Sequence, residues 1–425
     1  MTDNTLSITD MMQKLGQRAT SATKRLRLSS STQKEVALRA MAKEIRTAEA
    51  DILAANQADM GAATSKGLSA AMLDRLALNE DRIEGIAKGL EDIAALPEPV
   101  GQIDKTWTQP NGLTFSKIRV PIGVIGMIYE SRPNVTADAG GLCLKSGNAC
   151  ILRGGSESVR SNAAIHTALI KGLKKADLPE DAILMIPTTD RTAVGELLGG
   201  LDGAVDLIIP RGGKGLISRV QTDARVPVLA HLEGLCHSYI HEAADEAMAL
   251  DIVENAKLRR TGVCGSTETV LIDKNIAQSL LPKLVKRLGK QGCTFKGNSA
   301  AQKIVPELPL ASSKDYSTEY LAPILNIAVV ENIDAALSHI ERYSSGHTDA
   351  IITHDIKVAE KFLNDVDSAI VIHNASTQYA DGGEFGFGAE IGIATGRLHA
   401  RGPVGAEHLT TYKYQVRGNG QTRPN

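Results

Sequence analysis

The chain reads as an α/β protein with two parallel-sheet units and a small antiparallel β element. Three observations predict this: short apolar segments alternate with helical stretches in two successive series, an alanine-rich helical region precedes them, and a hairpin signal stands between. The alternation matters because parallel strands need long crossovers, and helical crossovers cover the faces of the sheet. With 425 residues, 43% hydrophobic and 23% charged, the chain has the length for two or three domains and the composition of an ordinary globular protein.

From Ser7 to about Leu96 the pattern is helical, with amphipathic runs over 33–56 and 68–96 set apart by Gly61 and Gly67. Next, segments 105–108 and 113–120 flank Pro110-Asn111-Gly112, a turn signal that predicts a hairpin. A protruding hairpin of this kind is suited to pairing with a partner chain. The first strand series follows at 124–128, 149–152, 182–186 and 204–209, with helical stretches such as 158–175 between. A second series runs through 238–240, 269–272, 324–330, 350–352 and 369–372. Residues 418–425 are expected to fray.

Composition narrows the function classes. Five cysteines (Cys143, Cys150, Cys236, Cys264, Cys293) are an odd number without a CxxC pair, which argues for a reduced compartment and against a structural zinc site, so no metal is expected. Segment 1–10 is polar, lacking a basic stretch followed by an apolar one, and no apolar run approaches the ~20 residues of a membrane span. A cytoplasmic protein without membrane contact is the expectation. A net charge of −2 and 3% aromatic residues give neither a basic surface nor stacking platforms, so nucleic acid is not an expected partner.

The candidate chemistry centres on Cys264. It stands in a loop between Gly262 and Gly265, ahead of a short apolar strand, where there is room for a substrate carbonyl and where Arg259 and Arg260 favour the thiolate. The plainer reading is a buried cysteine acting as a small hydrophobe. Segment 206–217 is a strand, a glycine turn and a helix start, so backbone N–H groups at Gly212 and Gly213, with Lys214, are expected to be free to face a phosphate. The loop 152–158 also links a strand to a helix, with Ser156 or Ser158 as a cap and Arg153 as either a ligand or a solvated cation. Two such loops in one sheet favour a dinucleotide site. Glu233, in the connection between the two α/β units, is a candidate base near the thiol. Cys236 and His237 suggest a second nucleophile pair, but they are adjacent on an extended segment, where neighbours point to opposite faces and cannot readily face each other.

Segments 68–76, 120–136, 209–213, 345–351, 373–377 and 398–405, together spread over nearly the whole chain, resemble the aldehyde dehydrogenase superfamily, and within it the branch that reduces an acyl phosphate of glutamate. That resemblance implies a Rossmann-type cofactor domain (1–104 and 122–232), an α/β catalytic domain (233–405) and an oligomerisation element (105–121 and 406–425), hence a homo-oligomer. It further implies Cys264 as catalytic thiol, Glu319 at the nicotinamide ribose unless it is a helix-edge surface charge, and Asn134 with the Cys264 N–H as oxyanion donors. Here the sequence departs from the usual dehydrogenase pattern, since ungapped alignment back from Asn148 puts Glu130, not Asn134, where the usual asparagine stands.

The implied reaction is NADPH-dependent conversion of L-glutamate 5-phosphate to L-glutamate 5-semialdehyde with release of phosphate, in proline biosynthesis. Arg259 and Arg260 would hold the leaving phosphate. NADPH is expected over NADH, because Arg153 is followed three positions on by Ser156, where many relatives carry an acid for the ribose hydroxyls. A separate glutamate 5-kinase is a candidate partner. The competing readings are a hydrolytic aldehyde dehydrogenase, for which Glu233 would be essential, and a non-catalytic binding protein.

Overall fold

A computed structural model describes residues 7–423. Of the segments read from the sequence, 1–6 of the polar amino-terminal stretch and 424–425 of the tail lie outside the described residues, and 418–423 are irregular and exposed. Contacts divide the chain into two units, one of Met1–Ala230, Gly386–Gly392 and Val404–Asn425, the other of His231–Phe385 and Ile393–Pro403.

The first unit opens with α1 (Ile8–Leu26), α2 (Ser31–Thr47), α3 (Glu49–Ser65), α4 (Ala70–Leu76) and α5 (Glu80–Ala95). The helical region is more broken than its periodicity predicts. The run expected over 33–56 stops at Ala48, which leaves helical geometry at φ −93° and ψ 10°, while its carbonyl accepts from Ile52 and starts α3. Gly61, expected as a separator, lies inside α3, since one glycine costs a helix only about 1 kcal/mol. Helix starts follow local chemistry: Ser30 and Gln33 form a capping box on α2, and Asn79 accepts from the Arg82 N–H on α5.

The expected hairpin is β1 (Ile103–Thr108) and β2 (Thr114–Pro121), with Gly112 at φ 85° in its turn and Trp107 stacked on Phe115 at 5.3 Å. The carboxyl-terminal strand Thr410–Arg417 pairs antiparallel with the other edge of β2. Four parallel strands follow, β3 (Val124–Tyr129), β4 (Ala149–Arg153), β5 (Ile183–Met185) and β6 (Leu207–Arg211), ordered β5-β4-β3-β6. They are linked by α6 (Val135–Lys145), α7 (Val159–Lys175), α8 (Arg191–Leu198) and α9 (Lys214–Asp223). The chain builds outward from β3 to β5 and then returns to β3's other side, so the carboxyl ends of β3 and β6 flank the switch point where open α/β sheets form a crevice.

The second unit carries β7 (Cys236–Ile240), β8 (Thr267–Asp273), β9 (Thr294–Gly297), β10 (Ile324–Val330), β11 (Thr348–Ile352) and β12 (Ile370–His373), all parallel, ordered β12-β11-β7-β8-β10-β9. Edge strand β9 escapes sequence reading because Thr-Phe-Lys-Gly is short and its first residues are not buried. Alternation sorts the two faces: Ile240, Val270, Ile272 and Ile327 pack on one side with Leu281 and Leu284, and Tyr239, Leu271, Ala328 and Ile351 on the other with Phe362. Helix α10 (Glu246–Leu258) runs into the loop that precedes β8.

Candidate active site

Four of the five cysteines are buried, and Cys264 alone is partly open. Burial pushes the Cys236 thiol up, and that of Cys293 to about 11, which makes them inert as nucleophiles. Cys264 lies in the turn between α10 and β8, fixed by its neighbours. The Ser266 N–H donates to Val263 O at 3.0 Å, and Ser266 Oγ to Lys257 O at 3.3 Å. A Cβ at Gly234 would lie 2.0 Å from Cys264 O, so only glycine lets the incoming segment pass against the thiol's backbone. Cys236 Sγ donates to Cys264 O at 3.1 Å, while His237 on the opposite face pairs with Asp349 at 3.0 Å, as strand alternation requires. The thiol loop thus sits at the amino ends of this unit's strands.

Gln378 clamps the same loop. Its Nε2 donates to Ala256 O at 3.0 Å and to Arg260 O at 3.2 Å, and its Oε1 accepts from Arg259 Nη1 at 3.3 Å. Arg259 and Arg260 are both exposed beside the thiol loop, and part of the Arg259 guanidinium serves this clamp. Glu319 is not on a helix edge. It lies in the loop before β10, and its carboxylate accepts from the Gly234 N–H at 2.9 Å, which ties it to the segment packed on Cys264. Glu233 is half-buried in that same segment.

Two histidines not singled out from the sequence also converge on the thiol. A ring nitrogen from each of His231 and His347 and the Cys264 sulfur all lie within 4.8 Å of one another. His347 belongs to the segment 345–351 and enters the site because β11 pairs with β7, an adjacency that chain order does not announce. Asp349, two residues on, anchors that pairing by accepting from the His237 backbone at 2.9 Å and from Ser344 Oγ at 2.8 Å. Beneath the loop, Lys257 and Glu268 form an ion pair of 2.7 Å with at most 2% of either side chain exposed, and burial pushes the Glu268 carboxyl up to about 7.

The first unit holds the remaining candidates and corrects several expectations. The N–H groups at the start of α9 are not all free. Gly213 N–H donates to Glu130 Oε2 at 3.0 Å, because Glu130 follows β3 next to β6, and a Cβ on Gly212 would meet that oxygen at 2.5 Å. Neither serine of the 152–158 loop caps α7 through its side chain. Ser158 occupies the cap position, but its Oγ is turned to Gly155 O at 3.3 Å, and Ser156 is exposed. Arg153 is not a solvated cation. Its Nη1 donates to Gly154 O at 2.7 Å, its Nη2 to Thr189 O at 3.1 Å, and its Nε is buried without a partner. The loop does contain an acid, Glu157, whose Oε1 accepts from Ser131 N and Oγ at 2.6 and 2.8 Å. Asn134 precedes α6 and gives an amide hydrogen to Asp138 at 2.8 Å; burial pushes the Asp138 carboxyl up to about 6. Lys214 opens α9. The structure therefore gathers Cys264, Arg259, Arg260 and Glu319 in one unit, and Asn134, Arg153, Ser156, Gly212, Gly213 and Lys214 in the other.

Among the described residues no helix is long and apolar enough to cross a membrane. Comparison with known proteins matches residues 7–303 and 304–413 to the aldehyde dehydrogenase family. A protein of Hyphomonas neptunium named gamma-glutamyl phosphate reductase is 59% identical over 418 residues, 98% of each chain. One of the same name from Caulobacter vibrioides is 58% identical over 96% of this chain and 99% of its own. The crystal structure of gamma-glutamyl phosphate reductase from Thermotoga maritima, 43% identical, superposes with a TM-score of 0.95 over 98% of this chain and 100% of that one. A thiol held at a glycine-lined turn and two parallel sheets thus accompany sequence similarity over nearly the whole chain: the chain belongs to the aldehyde dehydrogenase family.

Proposed function

We propose that the chain reduces L-glutamate 5-phosphate to L-glutamate 5-semialdehyde with NADPH, releasing phosphate, as a step of proline biosynthesis. The observation that carries this reading is that relatives 54–59% identical over nearly their full length bear the name gamma-glutamyl phosphate reductase. In this reading the Cys264 thiolate attacks the acyl carbon, the bond to the phosphate oxygen breaks, and a thioester remains on the protein. Arg259 and Arg260 offset the charge of the departing phosphate. A nicotinamide cofactor, when bound, supplies the hydride that reduces the thioester. Collapse of the resulting thiohemiacetal frees the aldehyde and returns the thiolate.

The Cys264 N–H and Asn134 Nδ2 donate to the transient oxyanions. Asn134 has a second amide hydrogen for this purpose, the first holding its rotamer through Asp138. Cofactor binding falls to the loops after β4 and β6, with Arg153, Ser156, Gly212, Gly213 and Lys214, and to Glu319 at the nicotinamide ribose. The buried, unpartnered Nε of Arg153 supports a phosphate beside it, hence NADPH over NADH. The exposed Tyr412, Tyr414 and Val416 of the three-stranded sheet, whose outer edges are open, support a homo-oligomer built through that element. A cytoplasmic enzyme acting beside a separate glutamate 5-kinase completes the reading, since an acyl phosphate is labile and gains from direct delivery.

The test is the reverse reaction, NADP reduction with glutamate 5-semialdehyde, with and without phosphate. Phosphate-dependent turnover that Cys264→Ser abolishes and Glu233→Gln largely keeps is the expected result, because an acyl-phosphate route has no water to activate. Phosphate-independent turnover that collapses in Glu233→Gln would assign a hydrolytic aldehyde dehydrogenase instead.

A further inference from the structure

His231 and His347, which converge on Cys264, are given no part in the reaction just described. Their three donor atoms lie within 4.8 Å of one another, and the two rings meet edge to face with centroids 5.1 Å apart. In His231 the proton position follows from the partner. His231 Nδ1 is 2.9 Å from Ile393 O, and a carbonyl only accepts, so Nδ1 carries the hydrogen and the lone pair of the neutral ring is on Nε2. In His347, Nδ1 is 2.9 Å from Thr348 Oγ1, and Nε2 is buried with no hydrogen-bond partner in a side chain that is 0% exposed. A buried ring nitrogen without a partner costs free energy that a ligand can recover.

One thiolate and two imidazoles are a soft, borderline donor set. Three protein ligands with a fourth position left to water is the arrangement of open zinc sites, and an imidazole tethered through its other nitrogen to a carbonyl is how such ligands are oriented. Bond lengths of about 2.0–2.3 Å place tetrahedral donors about 3.3–3.7 Å apart, so small side-chain rotations close the set.

We propose that Cys264, His231 and His347 form a reversible inhibitory site for a divalent d10 cation of the zinc class. Binding replaces the thiol proton, which passes to solvent, by a sulfur–metal bond; the two imidazoles donate their lone pairs and water completes the shell. No electron changes hands. The sulfur lone pair that would attack the acyl carbon is then held by the metal, so the cation and the substrate exclude one another. That inhibitory consequence rests on the reading of Cys264 as nucleophile, whereas binding itself does not.

The test uses the full-length reduced protein freed of thiol reagents and chelators. Cobalt(II) titration should give a near-ultraviolet thiolate-to-cobalt band saturating at one equivalent, and zinc should abolish it by competition. Cys264→Ala should remove the band, and His347→Ala and His231→Ala should each weaken binding by more than about tenfold. His347→Gln, which keeps the packing, guards against a variant that fails to fold and should weaken binding alike. Zinc should inhibit turnover, chelator should restore it, and saturating semialdehyde with phosphate should protect. A band that survives in Cys264→Ala, or none in the wild type, overturns the site. Full cobalt affinity in both histidine variants overturns the donor set. If Cys264→Ser keeps turnover, the nucleophile reading fails while the optical band still judges the metal site.

Discussion

At the scale of single residues, Gly234 shows how tightly the reactive loop is cast. A Cβ at this position would meet the Cys264 carbonyl oxygen at 2.0 Å, and the Gly234 N–H donates to Glu319 at 2.9 Å. Adding one methyl must move the thiol backbone, and displacing a reacting atom by about 1 Å costs on the order of a hundredfold in rate. Gly234→Ala should therefore lower kcat steeply while the protein stays folded, checked by steady-state kinetics beside circular dichroism. Nothing in the local sequence distinguishes Gly234 from an ordinary loop glycine, because the atom it must avoid is 30 residues away in the chain. A larger separation hides the Gly213–Glu130 bond, whose partners are 83 positions apart. What was legible at this scale was Cys264, since its own neighbours, two glycines and a following strand, already describe an accessible turn.

The elements around the loop are stabilised by groups that titrate. The Lys257–Glu268 pair joins the end of α10 to the start of β8, and the folded protein holds the Glu268 carboxyl at about 7 against an ordinary 4.5. The native state thus binds a proton more tightly than the unfolded chain does. This contribution is complete below pH 4.5 and is lost as pH rises through 7, by about 3 kcal/mol. Replacing both partners by apolar residues, Lys257→Met with Glu268→Leu, should flatten that part of the pH profile, measured as urea midpoints from pH 5 to 8. Lys257→Met alone removes the cation that opposes the effect of burial, so the Glu268 carboxyl should rise further and the loss of stability should move to higher pH in the same midpoints. Helix packing supplies a second case. Gly172 lies within α7, where an added Cβ would meet the Met41 backbone nitrogen at 2.6 Å, so α2 and α7 touch through their main chains. Although alanine is the better helix former, Gly172→Ala should lose about 1–3 kcal/mol in denaturant melts.

Across the whole molecule, the strands that alternation announces are the ones found, because burial on both faces writes long apolar runs into parallel strands. Strand order is another matter. The placement of β11 beside β7, which brings His347 to the thiol, depends on tertiary packing between segments more than 100 residues apart, of which the hydrogen bond between His237 and Asp349, 112 positions apart, is one measure. The carboxyl-terminal strand carries this furthest, since Thr410–Arg417 pairs with Thr114–Pro121 about 300 residues earlier. On a ribosome adding about 5–20 residues per second, one edge of β2 therefore waits roughly 15–60 s for its neighbour to be synthesised. During that interval the nascent hairpin offers an unpaired strand to any other chain. Synthesis of Thr410–Arg417, not folding of the amino-terminal half, is the step that ends this exposure of β2.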